Sequence, residues 1–336
     1  MNRTAYAELE APLAGLAGHA GVDETEALMV HLAVGARLDR AGSIAREQLA
    51  TGGKRVRARL ALAAGEALGL DRDAMVPWAA ACELVHAATL VHDDLEDGDR
   101  VRRGHPTAWA RHGVAQAINT GDLLLMLPFL ALERLDTSDL VRFRLAMTLA
   151  KRAEQTARGQ ALDLELLATG RLDALHWSRA AEGKSGALLA LPVEGAVWLA
   201  GLAGRTAAEA SAAFCRIGVL YQLRDDVADA FGDKGRGVPG NDLREGKVSA
   251  LVVAHARLHP EEVDALVAVL ETPRDQTTDV DVAHWLRRFR DGGALSAAHA
   301  RIAALEDEIL SSPMLCAMPD LRAVAESLVT SMRRSS

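Results

Sequence analysis

The sequence has few aromatic residues and lacks the alternation of apolar and polar residues that marks a half-buried strand. Aromatic side chains make up 4% of the 336 residues, and alanine and leucine supply most of the 49% that is apolar. Alanine and leucine favour helices, whereas β-branched and aromatic residues favour strands. No glycine-rich or charged linker divides the chain. The sequence therefore predicts one large all-α domain that spans residues 1–336.

Other absences limit the classes of function. The formal net charge of −8 is not the basic footprint of general nucleic-acid binding. The N-terminus lacks the pattern of a signal peptide, and no uninterrupted apolar run reaches the length that spans a bilayer. The three cysteines, Cys82, Cys215 and Cys316, lack metal-ligand spacing and fit a reducing compartment. We expect a cytoplasmic protein with no nucleic-acid partner and no stable membrane insertion.

An acidic cluster ends a predicted helix that runs from about Met75 to Asp97. Five acidic residues lie between Asp93 and Asp99. Asp93 and Asp97 are four residues apart and share one helix face. Because a helix C-terminus carries partial negative charge, carboxylates there are unfavourable unless a cation compensates them. Such oxygen ligands suit Mg²⁺, which also binds waters and substrate phosphates. A solvated helix end is the alternative for this stretch alone.

The same arrangement recurs at Asp225, Asp226 and Asp229, again after an apolar helical run and again before cations. Antiparallel packing of the two helices would place six carboxylates across a cavity from one another. Only metal ions and a polyanion could make that arrangement stable. The apolar helices below would form a deep slot, so the pattern indicates a substrate with a diphosphate head and a hydrocarbon tail. The candidate metal ligands are Asp93, Asp94, Asp97, Asp225, Asp226 and Asp229.

Six motifs between Gly52 and Lys247 resemble, in order and spacing, those of the trans-prenyltransferases, the polyprenyl diphosphate synthase family. They are Gly-Gly-Lys-Arg-x-Arg at 52–57, Asp-Asp-x-x-Asp at 93–97 with Arg-Arg-Gly-x-Pro-Thr at 102–107, Gly-Gln-x-x-Asp at 159–163, Gly-Lys-Ser at 183–185, Gln-x-x-Asp-Asp-x-x-Asp at 222–229, and Asp-Leu-Arg-Glu-Gly-Lys at 242–247. The resemblance implies an isoprenoid synthase fold with a helix bundle around a deep cavity, usually as a homodimer. It also implies a Mg²⁺-dependent enzyme that joins an allylic diphosphate to isopentenyl diphosphate head-to-tail.

The resemblance assigns roles to individual residues. It implies three Mg²⁺ ions, two held by Asp93 and Asp97 and one by Asp225, with Asp229 in a supporting position. The residues implied at the allylic diphosphate are Lys184, Lys247 and Arg102. Those implied at isopentenyl diphosphate are Lys54, Arg57, His86 and Arg103. Those implied at the reacting centre, where their oxygens stabilise positive charge, are Ser185 and Gln222. The family's usual Gly-Lys after the second cluster is missing, so Arg236 or Lys234 must replace that lysine.

Product length is expected to depend on the residues just before Asp93. Thr89 and Ala88, four and five positions earlier, are small, whereas the short-chain members of the family place aromatic residues there. This predicts a product of C20 or longer, with geranylgeranyl diphosphate the best guess. The alternative floor is the facing helix, with candidates Leu124, Leu125, Met126 and Phe129, or a deeper position on the first helix, with candidates Val85 and Cys82.

Three rival interpretations share parts of this pattern. A class I terpene cyclase shares the fold and the Mg²⁺-driven ionisation but normally lacks the isopentenyl diphosphate site. A shorter-chain farnesyl diphosphate synthase shares every motif. A non-catalytic partner subunit usually loses one aspartate cluster, and both are intact here. Outside the motifs, His255 and His259 have the spacing of two zinc ligands, but we interpret them as a solvated helix end.

Overall fold

The computed structural model describes residues 21–35, 39–232 and 239–333. The first part of the described chain contains α1 (Val22–Val34), α2 (Arg40–Ala50), α3 (Val56–Ala67), α4 (Arg72–Glu96), β1 (Val101–Arg102), β2 (His105–Pro106), α5 (Ala108–His112), α6 (Val114–Leu132) and α7 (Asp139–Glu165). The second part contains α8 (Ala174–Ala181), a π-helical segment (Glu182–Gly186), α9 (Ala187–Leu199), α10 (Gly204–Phe231), α11 (Asn241–Arg244), α12 (Ala250–Leu258), a 3₁₀ turn (Pro260–Glu262), α13 (Val263–Leu270), α14 (Asp279–Asp291), α15 (Ala294–Leu310), α16 (Pro313–Ala317) and α17 (Pro319–Arg333).

Helix α4 carries the first aspartate cluster at its C-terminal end. Its N-terminus is capped by Asp71, whose carboxylate accepts hydrogen bonds from the backbone N–H groups of Asp73 and Ala74. The fully buried Trp78 attaches α4 to α9, since its indole Nε1 donates to the Pro192 carbonyl over 2.9 Å. The far end of α4 is therefore fixed to the core, and the aspartates lie at the other end.

Helix α9 is the centre of the domain. Its residues from Ala187 to Val197 are buried, as expected for a helix that is apolar on all sides. It packs against α3, α4, α7 and α10. In contrast, α4 and α10 share little direct contact, so the two aspartate helices do not pack on each other as the sequence suggested. Both instead pack against α9.

The junction between α8 and α9 is a π-helical turn, which the sequence analysis did not foresee. Glycines allow neighbouring helices to approach it backbone to backbone. A Cβ on Gly159 of α7 would lie 2.4 Å from the Lys184 nitrogen, and one on Gly218 of α10 would lie 2.4 Å from the Gly186 Cα. These contacts place Lys184 and Ser185 between α7 and α10. Single π-helical turns often occur at functional sites.

The all-α prediction is confirmed, with local corrections. The sequence favours separate helices from about Trp109 to Asn119 and from about Asp122 to Leu135, but this break is wrong, because α6 continues through it. A two-stranded hairpin occurs where no strand was expected. After residue 248 the sequence favours three or four helices, with turns near Pro260, Thr272-Pro273, Gly292-Gly293 and Pro313. The structure has six α-helices between residues 248 and 333, with a further boundary at Met318.

The expectation about apolar length also needs correction. Among the described residues, α4 and α6 are long and apolar enough to cross a membrane, judged by length and composition alone. Two thirds of the apolar stretch of α4 is buried inside the protein, as in the core helix of a water-soluble domain. The corresponding stretch of α6 is 39% buried, so α6 has a large apolar face on the outside of the protomer.

Candidate active site

The three aspartates of the first cluster have different surroundings. Asp94 is buried and accepts a 2.5 Å hydrogen bond from Arg102 Nε, which ties the end of α4 to the β1–β2 hairpin. Asp97 faces Lys247, whose Nζ lies 3.3 Å from its carboxylate. The Asp93 carboxylate has no hydrogen-bond donor among the described residues. The cluster thus contains one carboxylate used within the protein and two that face the site.

The surroundings of Asp93 disfavour its ionisation. Burial raises the pKa of its carboxyl group to about 6; the neighbouring Asp97 and Glu96 add to the shift, while Lys184 opposes it. A half-buried carboxylate beside other acids becomes favourable when a metal ion neutralises it. An all-oxygen set at helical spacing suits Mg²⁺. Asp93 and Asp97 therefore fit the metal-binding role that the sequence predicts.

In the second cluster, Asp226 is the buried member. Its carboxylate accepts hydrogen bonds from Trp177 Nε1 at 3.1 Å, Gln222 Nε2 at 2.8 Å and the Ala250 backbone N–H at 2.7 Å. Burial raises its pKa to about 7 even though these donors oppose the shift. The geometry favours a supporting role for Asp226, as for Asp94, rather than the metal-ligand role that the sequence assigned to both.

The other two carboxylates of the second cluster differ from Asp226. Asp225 is half-buried next to it on α10. Asp229 is buried and accepts a 2.9 Å hydrogen bond from the Asp242 backbone N–H, while its own carbonyl accepts from Gly240. Asp229 thus anchors the loop that leads to Lys247, in keeping with the supporting position expected for it. The metal-ligand assignment of Asp225 stays a prediction.

A chain of hydrogen bonds joins Asp226 to the predicted reacting centre. Ser185 Oγ donates to Gln222 Oε1 over 3.0 Å, and Gln222 Nε2 donates to Asp226. Asp226 thereby fixes the amide so that its oxygen faces Ser185. Trp177, which the sequence alone would place in the core or at an interface, holds the end of this chain through its indole N–H. No sequence pattern links Trp177 to Asp226, because 49 residues separate them.

The two predicted lysines of the allylic site are each paired with acids. Lys184 Nζ lies 3.1 Å from Asp163. Burial lowers the pKa of Lys184, but Asp163 and Asp93 together raise it by more, so it stays protonated. Lys247 Nζ lies 2.8 Å from Glu245 and 3.3 Å from Asp97. Burial is again outweighed by these acids, which raise the pKa of Lys247 above its ordinary value. Both lysines are fixed positive charges at the aspartate end of the bundle.

A second group of cations lies where the sequence predicts the isopentenyl diphosphate site. Arg57 NH1 and His86 Nε2 are 3.1 Å apart. Burial and the surrounding arginines, Arg57 first, keep the pKa of His86 well below its ordinary value, so its ring is neutral. Since a guanidinium can only donate, Nε2 accepts and Nδ1 carries the proton. His86 Nδ1 and Arg57 Nε are both buried without a partner. Two buried, unpaired N–H donors suit a bound anion.

The β1–β2 hairpin directs its two arginines to different partners. Arg103 and Gly104 form its two-residue turn, both with positive φ (52° and 78°), as a type I′ turn requires. Arg102 points to Asp94, whereas Arg103 donates to the Gly52 carbonyl. Gly53 has φ +139°, a backbone conformation that favours glycine, and a Cβ there would also lie 2.4 Å from the Arg103 guanidinium. Arg102 therefore supports the first cluster, and Arg103 lies against the loop that leads to Lys54 and Arg57.

Several other predictions can be placed. Arg236 and Lys234 lie outside the described residues. Ala88 is buried and Thr89 is half-buried on α4. On the facing helix α6, Leu124 is buried and Leu125 and Phe129 are half-buried, but Met126 is 53% exposed and is excluded as a cavity floor within one protomer.

The interpretation of His255 as part of a solvated helix end is wrong. Its ring is fully buried, stacks 4.7 Å from His259, and has Nε2 3.0 Å from Glu262. The ligand atoms of His259, Glu261 and Glu262 come within 4.8 Å of one another, away from the aspartate clusters. Glu262 is already bound by Arg288 and His255, so this group is satisfied within the protein.

The raised pKa of Asp93 gives a stability prediction for the metal-free protein. Because the folded chain holds the Asp93 proton more tightly than the unfolded chain, ionisation above pH 6 opposes folding, and this cost vanishes as the pH falls toward 3.8. We expect Asp93→Asn to raise the free energy of unfolding by up to about 3 kcal/mol at about pH 7.5 and to have little effect near about pH 4. Urea unfolding in the presence of a chelator measures the free energy of unfolding at both pH values. Asp136→Asn, at an exposed position, is the control; an Asp93→Asn effect that does not change with pH contradicts the assignment.

Comparisons with known proteins agree with this geometry. The profile of the Polyprenyl synthetase family matches residues 40–286. A short chain isoprenyl diphosphate synthase from Methanothermobacter thermautotrophicus is 34% identical, over 76% of this chain and 78% of the relative. A geranylgeranyl diphosphate synthase from Mycobacterium tuberculosis is 34% identical, over 80% of this chain and 79% of the relative.

Solved structures give the same result. A geranylgeranyl pyrophosphate synthetase from Pyrococcus horikoshii superposes with a TM-score of 0.81 at 26% identity, over 97% of this chain and 99% of that one. A polyprenyl synthase from Caulobacter crescentus, complexed with calcium and isoprenyl diphosphate, superposes with a TM-score of 0.82 at 26% identity, over 97% and 98% of the two chains. The chain therefore belongs to the polyprenyl synthetase family, and it is a trans-prenyltransferase with the isoprenoid synthase fold.

Proposed function

We propose that this enzyme condenses an allylic diphosphate with isopentenyl diphosphate, head to tail, and that its main product is geranylgeranyl diphosphate. The observation that carries the proposal is the presence of two separate groups of cations. One, with Lys184 and Lys247, lies among the aspartates. The other, with Arg57 and His86, is half-buried and has two buried donor atoms that lack partners among the described residues. Two anion sites fit an enzyme with two diphosphate substrates, whereas a terpene cyclase needs only one.

The residues of each site have distinct tasks in this proposal. Asp93 and Asp97 on one side and Asp225 on the other would hold three Mg²⁺ ions, which supply the positive charge that makes diphosphate a good leaving group. Lys184 and Lys247 bind oxygens of the allylic diphosphate. Arg57 and the neutral His86 donate to isopentenyl diphosphate and hold its double bond in line with the allylic carbon.

Ser185 and Gln222 face the carbon that loses the diphosphate. Ser185 Oγ donates to Gln222 Oε1, so the two oxygens lie 3.0 Å apart. Their dipoles place partial negative charge where the allylic cation forms. The new bond then joins the allylic carbon to the double bond of isopentenyl diphosphate, and a proton leaves. Asp226 keeps the Gln222 amide in the orientation that this task needs.

The function is tested by incubating the purified protein with Mg²⁺, labelled isopentenyl diphosphate and each of the C5, C10 and C15 allylic primers. We expect label in a C20 product from every primer that is accepted, and none when a chelator removes the metal. A cyclase would leave the labelled substrate unused. A C15 product from the C10 primer, with no further extension, would instead identify a farnesyl diphosphate synthase.

Product length offers a second test through Ala88. Its methyl group is buried on the face of α4 that continues through Val85 and Ala81 to Trp78, at helical spacing. We expect Ala88→Phe to block this face about one turn below Asp93 and to shift the main product to C15 or shorter. Chromatographic sizing of the dephosphorylated products measures the shift. Thr89→Ala, which widens the same wall, should keep C20; an unchanged product from Ala88→Phe refutes the wall assignment.

We also propose that the enzyme is a homodimer. Exposed apolar side chains form a surface on α6 and α7 that consists of Val114, Ile118, Met126, Leu130, Leu140, Phe143 and Met147. Apolar surface of this extent on a protomer usually contacts another protein. A second copy of the same surface could cover it, in an interface that is self-complementary about a twofold axis.

The dimer proposal predicts that charge on this surface produces monomers. We expect the double variant Phe143→Glu and Met147→Glu to elute with the mass of one 35.7 kDa chain in light scattering, while the wild type has twice that mass. Val280→Glu, at a 75% exposed position outside this surface, should stay dimeric. A wild-type protein that is monomeric at micromolar concentration rejects the proposal.

We propose a cytoplasmic location. Its support is the chemistry of the cysteines: Cys82, Cys215 and Cys316 are all free thiols. Free thiols persist in a reducing compartment.

A further inference from the structure

A series of ion pairs at the mouth of the site joins five charged side chains: Asp97, Lys247, Glu245, Arg274 and Asp99. Lys247 Nζ lies 3.3 Å from Asp97 and 2.8 Å from Glu245. The other oxygen of Glu245 lies 3.1 Å from Arg274 NH1, and the same nitrogen lies 3.7 Å from Asp99. Because Asp97 and Asp99 both follow α4, the series runs from the first aspartate cluster through Lys247, Glu245 and Arg274 and back again. Arg274 belongs to none of the six motifs.

The backbone explains why Arg274 reaches this position. Gly246 has φ +69°, and a Cβ there would lie 2.5 Å from the Leu270 carbonyl, so the loop of Lys247 lies directly against the end of α13. The chain then turns back at residues 272–277, where Thr277 Oγ1 donates to the Thr272 and Pro273 carbonyls. On the other side, the Asp99 carbonyl accepts from Thr107 and Trp109. Arg274 therefore bridges two segments that are each held by their own hydrogen bonds.

Glu245 is the link through which Arg274 acts on Lys247. The Glu245 side chain is only 15% exposed, so its carboxylate needs compensation from nearby cations. In the structure, Arg274 pairs with one carboxylate oxygen of Glu245 and Lys247 pairs with the other. Without Arg274, Glu245 would depend on Lys247 alone and bind it more tightly. The mouth of the site would also lose one positive charge, which disfavours the approach of a polyanion.

We propose that Arg274 is a positioning residue for the allylic diphosphate. By neutralising Glu245, it leaves Lys247 able to bind the diphosphate, and it connects the loop of Lys247 to the end of α4. This proposal rests on the proposed function, since it assigns Lys247 to the allylic substrate. The isopentenyl diphosphate site, built around Arg57 and His86, is not part of the series.

The test compares Arg274→Gln with the wild type in two measurements. In steady-state kinetics, we expect the KM for the allylic diphosphate to rise about three- to fivefold, the upper range for partly exposed ion pairs, while the KM for isopentenyl diphosphate changes less than about twofold. In calorimetry, we expect the affinity for inorganic diphosphate with Mg²⁺ to fall by a similar factor. Arg274→Lys, which keeps the positive charge, should restore most of the wild-type KM for the allylic diphosphate and most of the wild-type affinity for inorganic diphosphate. Arg301→Gln, which removes a similarly exposed arginine from its ion pair with Glu308, is the control and should change neither the KM values nor the diphosphate affinity.

Measurements in a Glu245→Gln protein distinguish a positioning role of Arg274 from a general effect of losing its charge. If Arg274 acts through Glu245, Arg274→Gln should have little further effect on diphosphate affinity in a Glu245→Gln protein. Equal effects of Arg274→Gln in both backgrounds, equal effects on both substrates, or no effect at all would each overturn the proposal. A wild-type protein that forms no prenyl product would instead reject the proposed function, so the two failures are distinguishable.

Discussion

Mutual repulsion among carboxylates is the constraint on which the architecture of the site depends. Two clusters of aspartates lie at the ends of long helices, where the helix dipole adds further negative charge. The protein compensates the first cluster with cations from three other segments: Arg102 from the hairpin, Lys184 from the π-helical turn and Lys247 from the loop after α11. Asp93 alone is left without a donor among the described residues, and its raised pKa is the physical record of that deficit. The first cluster therefore suits a bound cation at Asp93.

In the second cluster, neutral hydrogen-bond donors compensate the buried carboxylate of Asp226. Asp226 is held by an indole, an amide and a backbone N–H rather than by a lysine or arginine. Neutral donors stabilise the carboxylate without adding positive charge next to the reacting carbon, where it would oppose a forming carbocation. The same bonds fix Gln222, and through it Ser185, so one buried carboxylate sets the geometry of the reacting centre.

Much of this could be predicted from the sequence, because helical periodicity and motif spacing are local properties. The helices, the two aspartate clusters and the separate group of Arg57 and His86 were all predicted. The different roles within each cluster were not, although a simple signal existed. Adjacent residues on a helix point about 100° apart, so Asp93 and Asp94 face different directions. This difference in direction does not stop two neighbours from bordering the same cavity, but the hydrophobic faces of α4 and α10 could have shown which aspartate turns toward the core.

The remaining errors have non-local causes. The π-helical turn at Glu182–Gly186 depends on glycines of α7 and α10 that are distant in sequence, and no periodicity within the turn itself encodes it. Trp177 and Arg274 reach the site only through tertiary packing. His255 seemed to end a solvated helix because Pro260 follows it closely. The ring is instead covered by Trp285 and Phe289 of α14, which the local sequence does not indicate.

The two anion sites differ in what a substrate must displace. At the proposed isopentenyl diphosphate site, Arg57 Nε and His86 Nδ1 lack partners among the described residues, so an anion that reaches them need not break an existing bond. At the allylic site, Lys184 and Lys247 are paired with Asp163, Glu245 and Asp97. A diphosphate must compete with those carboxylates for the lysines, and it competes well only if another cation takes Asp97 in exchange. Metal and allylic diphosphate therefore favour each other's binding. In the proposed reaction, the full positive charge would be assembled only when both are present, which would restrict ionisation of the allylic bond to the complete complex.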